Sequence, residues 1–266
     1  MIREMLEHWL TPCPPRWRRL GYLREQIAID ARLARNRAAW EPHLEASRRL
    51  ILEAAGRCTR RRCALLLGAG LQHDLPVREL CGMFGRVVLA DLIHRPGPRR
   101  RSRAAGALCA EFDASGALNE LVGRGDGLDD AALERLVAGA DAGLPAETEG
   151  EPDLVVSANL ASQLMLLPAE WLERERERGE DLGARLTAAA ARRHLAWLGA
   201  RSGIHVLVTE VARRRVARDG SLASREELAW AAGPGEPAAR WTWRIAPIPE
   251  ADRRQHLEHE VAGWVW

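Results

Sequence analysis

Residues 63–94 read CALLLGAGLQHDLPVRELCGMFGRVVLADLIH, and the order of features in this stretch decides the fold. An apolar run, 64–67, stops at the tripeptide Gly68-Ala69-Gly70, and a second apolar run, 87–90, ends on an acid. Both runs are short enough to be buried strands, and a helix is expected between them. Strand, glycine turn, helix, strand and acid is the order of a nucleotide-binding β-α-β unit.

Each part of this unit has a physical role at one edge of a parallel sheet. The glycines let the backbone turn sharply and leave no Cβ in the way of a ligand. We expect the helix to begin with Asp74 as its N-cap and Pro76 in its first turn. Asp91 lies 21 residues past Gly70, close to the spacing of about 20 that is typical of an acid binding ribose hydroxyls. The alternative is a turn without a ligand, in which the glycines serve packing alone.

Composition limits the classes of protein that this chain can belong to. Its 266 residues suffice for one large α/β domain with its own core. Apolar residues make up 47% and charged residues 29%, as in ordinary globular proteins, and the net charge of +2 argues against a general nucleic-acid or membrane-surface binder. All 39 basic residues are arginine, which excludes lysine Schiff-base chemistry.

The cysteines and the first ten residues indicate the cellular compartment in which the protein is expected. Five cysteines form no regular framework, and the opening MIREMLEHWL lacks the apolar core of a secretory signal. No run of apolar residues is long enough for a spanning helix. Cys58 and Cys63 lack two further ligands at a metal-site spacing, so no metal is expected. We therefore expect a cytoplasmic protein with reduced thiols.

The order of elements predicts the fold class. Residues 1–57 predict an N-terminal helical extension that packs on the domain or covers a ligand cleft, and 58–266 predict an α/β domain. Further strands are expected at 108–112, 153–157, 203–210 and, antiparallel, 241–248. Helices are expected at 129–138, from 168, at 185–198 and from about 250 to 260, and 95–103 is interpreted as a basic loop. Alternating strands and helices predict a doubly wound, mostly parallel sheet with helices on both faces.

On these motifs the sequence resembles the class I S-adenosylmethionine-dependent methyltransferases, over roughly residues 60–250. The segment GAGLQHD, 68–74, is similar to the family's glycine-rich motif, which wraps the methionine part of the cofactor. Asp91 matches the acid that binds the ribose hydroxyls, and Asp113 is placed like the acid that contacts the adenine amino group. The segment PDLVVSANL, 152–160, resembles the fourth-strand motif on the methyl-transfer side, and 241–248 fits the family's antiparallel hairpin.

The resemblance implies a Rossmann-like methyltransferase fold that binds S-adenosylmethionine. The cofactor-binding residues that it implies are Gly68, Ala69, Gly70, Asp91, Asp113 and Asn159. The sequence departs from the family after Gly70, where Leu71, Gln72 and His73 replace a third small residue. It also lacks the Asn-Pro-Pro-aromatic run of enzymes that methylate base nitrogens, which argues against a nucleic-acid substrate. The expected acceptor is a small molecule or a protein.

Three residues are candidates for a general base, which methyl transfer to a hydroxyl or a protonated amine requires. His73 lies in the glycine loop, His205 in the fifth strand, and Glu210 at the end predicted for that strand. Each has an ordinary alternative: an exposed loop histidine, a core histidine and a strand-end acid. The sequence does not choose among them.

Three functions remain open. The first is a methyltransferase, and the second is an inactive methyltransferase fold that binds a ligand or partner. The third, a nicotinamide-dependent oxidoreductase, requires a third glycine in G-x-G-x-x-G, where His73 stands. The tryptophan-rich tail, 241–266, predicts core packing or a homodimer.

Overall fold

The computed structural model describes residues 2–175, 181–228 and 233–266. The helices are α1 (Ile2–Leu10), α2 (Pro15–Leu20), α3 (Tyr22–Arg57), α4 (Val77–Met83), α5 (Pro96–Ala105), α6 (Leu118–Arg124), α7 (Asp130–Gly139), α8 (Leu166–Glu175) and α9 (Leu182–Gly199). The strands are β1 (Cys63–Leu67), β2 (Arg86–Asp91), β3 (Leu108–Glu111), β4 (Leu154–Ala158), β5 (Ile204–Ala217), β6 (Leu222–Glu227), β7 (Ala239–Ala246) and β8 (Gln255–Val265).

One sheet holds all of these strands in the order β3-β2-β1-β4-β5-β8-β7, with β6 paired to β5. Strands β1 to β5 run parallel, whereas β6, β7 and β8 are antiparallel to their neighbours. The prediction of a doubly wound, mostly parallel sheet preceded by helices is therefore confirmed. Strands β2 and β3 lie on one side of β1, and β4 and β5 lie on the other. The strand order therefore reverses between β1 and β4, which flank the switch point of the sheet.

Alternate residues of the central strands fill two separate cores. Toward α3, the strand residues Leu66, Val156, Val208 and Val261 pack with Leu50, Ile51, Ala54 and Ala55 of the helix. Toward α9, the strand residues Leu65, Leu67, Val155 and Leu207 pack with Trp197 and Leu198. Strands covered on both faces are continuous apolar runs, which explains why 64–67 and 87–90 were visible in the sequence.

Helix α3 is 36 residues long and is bent at Asn36, whose backbone is not helical (φ −117°, ψ 23°). Asn36 Nδ2 donates to the carbonyl oxygen of Arg32 at 3.1 Å, the acceptor that the Asn36 N–H would use in a regular helix. Pro42, one and a half turns on, has no N–H to donate. The bend lets the two halves of α3 pack against different parts of the molecule.

The two halves of α3 have different neighbours. The first half buries Leu23 and Ile27 in a core shared with α6, α7, α8 and α9. The second half buries Ile51, Ala54 and Ala55 completely against the sheet. Helix α3 is thus part of the main core, while the division of the chain at residue 57 stays a prediction. Within the described residues, no helix has the length and apolar character needed to span a bilayer.

The strands and helices predicted from 108 to 198 are confirmed within a few residues, but three other predictions are wrong. Residues 95–103 are not a loop: α5 runs over Pro96–Ala105, with proline in its first turn and Gly106 at φ +94° ending it. The sequence did not predict this helix because it is rich in arginine and only Pro98 and Ser102 are buried, which leaves almost no apolar stripe.

The helix expected from 250 to 260 is also wrong, because β8 occupies Gln255–Val265 and pairs with both β5 and β7. Strand β5 is longer than predicted and continues past Glu210 to Ala217. Its extension pairs with β6, which the sequence reading missed because all six residues of β6 are exposed.

Asp74 is not the N-cap of α4, which begins at Val77 after Pro76 and has no side-chain cap. The carboxylate of Asp74 instead accepts a hydrogen bond from Asn159 Nδ2 at 2.7 Å. This contact joins the loop after β1 to the end of β4 and lies in the wall of the cavity described next.

Candidate functional site

A cavity of about 290 Å³ lies at the carboxyl ends of the parallel strands, beneath α3. Its volume is close to the lower end of the range of about 300–1,000 Å³ that is typical of ligand pockets. Its walls come from α3, the loop after β1, the ends of β2, β3 and β4, the middle of β5, and strands β7 and β8. Open α/β sheets bind ligands at this edge, beside the switch point.

The glycine loop and Asp91 form one hydrogen-bonded unit at this edge. Gly70 N–H donates to Asp91 Oδ2 at 2.9 Å, and Ile93 N–H donates to Asp91 Oδ1 at 3.1 Å. A Cβ at Gly70 would collide with Gln26 Nε2 and lie 2.9 Å from the carbonyl oxygen of Ile93. Gly68 has φ +69°, a conformation that favours glycine. Both glycines are therefore required by the geometry of the loop.

The pKa of Asp91 is raised by burial, although the backbone N–H groups of Ile93 and Gly70 oppose the shift. Gln26 of α3 covers this acid: its Nε2 lies 3.4 Å from Asp91 Oδ1 and donates to the Ile93 carbonyl at 3.1 Å. Gln26 Oε1 is buried without a partner. Tyr22, one turn earlier on α3, also lines the cavity. Burial raises its pKa, and the nearby Asp113 and Asp91 raise it further.

Asp113 lines the cavity, but its own loop occupies its oxygens. Asp113 Oδ1 accepts from Ser115 N–H at 2.9 Å and from Ser115 Oγ at 2.6 Å. Asp113 Oδ2 accepts from Leu118 N–H, at the start of α6, at 2.8 Å. This carboxylate therefore fixes the turn between β3 and α6 while facing the cavity.

Asn159 follows β4 with φ +53° and connects two walls of the cavity. Its Nδ2 donates to Asp74 and lies 3.1 Å from His43 Nε2, while Trp241 Nε1 donates to His43 Nδ1 at 3.0 Å. Burial lowers the pKa of His43 to about 3, so this imidazole is neutral at pH 7. Burial raises the pKa of Asp74, against the hydrogen bond from Asn159.

Glu210 is 4% exposed and lines the same cavity. Ser162 Oγ donates to Glu210 Oε2 at 2.9 Å, and burial raises the pKa of Glu210 against that hydrogen bond. Within the described part of the chain, Asp74, Asp91 and Glu210 form no ion pair. The cavity wall thus carries three carboxyl groups whose charge no neighbouring side chain neutralises in direct contact.

The other two candidate bases differ from Glu210 in their surroundings. His73 lines the cavity and its Nε2 lies 2.6 Å from Asp30 Oδ1. Asp30 also pairs with the buried Arg95, which in turn pairs with Glu7 of α1. His205 is a core residue, 4% exposed, whose ring lies 5.1 Å from that of Trp266 and does not line the cavity.

Of the six residues implied by the resemblance, the structure brings four to the cavity wall: Gly68, Asp91, Asp113 and Asn159. Ala69 and Gly70 are buried in the loop behind it. The sequence reading missed Gln26, His43, Trp243 and His259, which line the cavity from α3, β7 and β8. No local motif marks them. The described residues hold no cluster of three or more His, Cys, Asp or Glu side chains placed to bind a metal ion.

No protein-family model and no protein of curated function matches this chain. Among solved structures it is similar to the 1,6-didemethyltoxoflavin-N1-methyltransferase of Burkholderia thailandensis with bound 1,6-didemethyltoxoflavin and S-adenosylhomocysteine. That match has 15% identity and a TM-score of 0.37, over 91% of this chain and 89% of the other. An O-methyltransferase family protein from the same organism matches with 11% identity and a TM-score of 0.35, over 90% of this chain and 60% of that one. Such low scores carry no weight for function, which must be argued from the residues.

Proposed function

We propose that this chain is an S-adenosylmethionine-dependent methyltransferase that acts on a small molecule. The observation that carries the proposal is the unit of Gly70 and Asp91 at the switch point, in a cavity whose carboxyl groups form no ion pair with any of the residues that the structure describes. Burial raises the pKa values of Asp74 and Asp91, and a cationic ligand would stabilise their charged forms. S-adenosylmethionine is such a ligand, because it carries a sulfonium and an ammonium.

The residues present fit this cofactor. Gly68 and Asn159 flank the switch point, where the methionine part would lie, and Asp91 would accept from the ribose hydroxyls. Asp113 and Tyr22 lie beside Asp91 along the same wall, where the adenine would lie. When bound, the cofactor supplies a methyl group already activated on sulfur. The protein then has to hold an acceptor in line with that methyl group at contact distance.

A dinucleotide fits the same loop poorly. Pyrophosphate binding needs free backbone N–H groups at a helix N-terminus. Here the Gly70 N–H donates to Asp91, and the Ala69 N–H donates to the carbonyl oxygen of Ala90 at 3.2 Å. Helix α4 has only seven residues and is preceded by Pro76, which has no N–H. These contacts favour S-adenosylmethionine over a nicotinamide cofactor.

A second candidate, a protein that binds the cofactor without turnover, is favoured by one contact. Gln26 lies on Asp91, the acid that would bind the ribose. A cofactor must therefore either use Gln26 as a further hydrogen-bonding partner or displace it. Detection of methylated product by mass spectrometry distinguishes the two functions, because the binding protein would retain the cofactor without forming product.

The decisive variant is Asp91→Ala, tested by calorimetric titration with S-adenosylhomocysteine and with NADH. We expect wild-type protein to bind S-adenosylhomocysteine and not NADH. The variant should bind S-adenosylhomocysteine about 10- to 100-fold more weakly, because hydrogen bonds to a charged acceptor are each worth about 1.5–3 kcal/mol. Asp219→Ala, in the exposed turn between β5 and β6, is the control. Unchanged affinity in folded Asp91→Ala protein, checked by thermal melting, would contradict the proposal.

Other expectations from the sequence stay as proposals of the same kind. The small volume of the cavity beneath α3, about 290 Å³, supports a small-molecule acceptor. The buried Trp264, which donates to the carbonyl oxygen of Gly235 at 2.8 Å, supports core packing of the tail. A homodimer stays a prediction that sedimentation would test.

A further inference from the structure

The cavity has an inner half that the cofactor proposed above does not account for. We define this inner half by five residues, Trp40, His43, Glu210, Trp243 and His259. They come from α3, β5, β7 and β8, beyond the carboxyl end of β4. We propose that the inner half binds a small, flat, mostly apolar molecule through an amine, with Glu210 in contact with the amine nitrogen. The assignment of this molecule as a methyl acceptor rests on the proposed function.

Strand pairing places Glu210 beside the carboxyl end of β4. The Asn159 N–H donates to the carbonyl oxygen of Val208 at 2.8 Å, so Glu210 lies two residues past the last contact between β4 and β5. Val208 and Glu210 share a face of β5, and Val208 packs in the core that contains α3. A register shift between Glu210 and Ala212 interrupts the pairing of β5 with β8. Such bulges often redirect a side chain beside a binding site.

The walls around Glu210 are aromatic, and the charge of Arg213, which lies on β5 outside the cavity wall, acts on Glu210 and opposes the effect of burial on its pKa. Trp40 and Trp243 meet edge to face with ring centroids 5.0 Å apart, and His43 stacks on Trp243 at 4.1 Å. Burial lowers the pKa of His43 to about 3 and, together with the charge of Arg213, lowers that of His259 to about 4. Both imidazoles are therefore neutral at pH 7. Glu210 is the ionisable acid of this inner half, among flat apolar surfaces.

Several polar atoms on residues of the cavity wall lack partners. Trp243 Nε1, His259 Nδ1 and Asn159 Oδ1 are buried and form no hydrogen bond with the described part of the chain, and the same holds for Gln26 Oε1 and Gln72 Nε2 near the cofactor half. Buried polar groups are nearly always paired, and these atoms have almost no accessible surface, so a ligand in the cavity would pair with them only after a side-chain movement.

The Glu210 carboxylate and the tryptophan rings favour an amine over other polar groups. An ammonium would pair with the Glu210 carboxylate and lie against the faces of tryptophan rings, which attract cations. A carboxylate ligand would meet Glu210 with like charge in a desolvated site, and that repulsion provides specificity. A neutral alcohol of the same shape would donate a hydrogen bond to Glu210 but would form no ion pair with it. The order of affinity expected is amine, then alcohol, then carboxylate.

In methyl transfer to such an amine, Glu210 accepts the proton that the ammonium must lose. The carboxylate takes one proton from the ammonium, which frees the lone pair on nitrogen. That lone pair forms the new N–CH₃ bond, the sulfur–methyl bond breaks, and its electron pair stays on sulfur. The products are a methylated ammonium and S-adenosylhomocysteine, and the proton on Glu210 leaves to solvent when the product departs.

Three probes of one shape test the proposal: 2-phenylethylamine, 2-phenylethanol and 3-phenylpropionate. Their binding is measured by ligand-observed NMR, with and without saturating S-adenosylhomocysteine. We expect the amine to bind wild-type protein at least about tenfold more tightly than the carboxylate. Glu210→Gln should reduce amine affinity by about tenfold or more and leave alcohol affinity within about twofold. Glu210→Asp, which keeps the charge, should retain the preference for the amine.

Glu260→Gln is the matched control, because this acid pairs with Arg225 outside the cavity. Calorimetry with S-adenosylhomocysteine on each variant separates the two proposals: Glu210→Gln should bind it as wild type does. If wild-type protein fails to bind S-adenosylhomocysteine, the proposed function fails, and the titration without it still decides the amine site. Equal binding of amine and carboxylate, absence of amine binding, or an unchanged amine affinity in folded Glu210→Gln protein would overturn the proposal.

Discussion

The buried acids of this molecule differ in whether a cation pairs with them. The Asp153 carboxylate accepts from Arg62 N–H at 2.7 Å, from the Arg62 guanidinium at 3.1 Å and from Cys63 N–H at 3.3 Å. Burial alone would raise the pKa of Asp153, but these hydrogen bonds outweigh it and hold that pKa below its ordinary value. Asp91 and Glu210 have raised pKa values and no ion pair among the described residues. Asp153 therefore has a cation that stabilises its charge, whereas Asp91 and Glu210 accept hydrogen bonds from neutral donors alone.

Replacing Asp153 with asparagine should destabilise the protein by about 1–3 kcal/mol at pH 7, because two backbone donors would lose a charged acceptor. The folded pKa of Asp153 lies below the unfolded value of about 3.9. Its contribution is thus complete above that value and is lost as the pH falls through the folded pKa. Urea unfolding of wild type and variant should converge at low pH, with Glu53→Gln, exposed on α3, as the control. A difference that does not decrease as the pH falls below the unfolded value would contradict this.

Sequence reasoning found the site residues that share one local signal. Gly68, Asp91, Asp113 and Asn159 each follow an apolar run, and the carboxyl ends of parallel strands must meet at one edge. Gln26 belongs to a helix 65 residues before Asp91, its partner. Its role depends on how α3 lies across the sheet, which no pattern of residues near Gln26 specifies. The same holds for His43, which meets Trp241 over a separation of 198 residues.

At the scale of elements, Arg95 connects three segments over the cavity. It is 4% exposed, precedes α5, and pairs with Asp30 of α3 and Glu7 of α1. Asp30 also contacts His73 in the glycine loop. Burial would raise the pKa of Asp30, but His73 and Arg95 outweigh it and lower that pKa. These contacts hold the N-terminal helices against the loop that would bind the cofactor.

Arg95→Gln should loosen α1 and the first half of α3, because it leaves two acids without their buried cation. Breaking a fully buried ion pair on one side costs about 3–5 kcal/mol, and the cost here should be smaller because Glu7 and Asp30 are each 34% exposed. We expect faster amide hydrogen exchange over residues 5–35, with exchange in β1 and β4 unchanged. Arg99→Gln, exposed on α5, is the control. Equal exchange of α1 and α3 in both variants would show that Arg95 does not hold these helices.

Elements whose burial leaves a clear pattern of apolar residues could be predicted from the sequence. Elements without such a pattern were missed. Strands β1, β2 and β4 are buried on both faces, so their apolar runs are unambiguous. Helix α5 buries two residues in ten, which leaves almost no apolar stripe to detect. Strand β8 has a polar first half, and its strand conformation is imposed by pairing with β5 and β7 rather than by its own residues.

At the scale of the whole molecule, an early helix, α3, meets a late strand, β7, at one edge of the sheet. Trp40 Nε1 donates to the carbonyl oxygen of Ile245 at 2.9 Å, joining α3 to β7. Arg35 pairs with Glu250 at 2.5 Å near the same place. The inner half of the cavity exists only because these distant segments pack together, so acceptor binding and global folding share contacts.

Removing residues 1–57 should abolish cooperative folding. The deletion takes Leu50 and Ile51 out of the main core, each worth about 1.5–3 kcal/mol when buried, together with Ala54, Ala55 and the cover they give to the sheet. A loss of that size approaches the total stability of about 5–15 kcal/mol of a typical domain. Removing 1–10 alone should cost less, because it removes the pair of Glu7 with Arg95 but leaves that of Asp30, and Trp9 and Leu10 are mostly exposed. Near-ultraviolet circular dichroism and thermal melting of 58–266 and 11–266 compare the two, and a sharp melt of 58–266 would instead establish the residues before 58 as a dispensable extension.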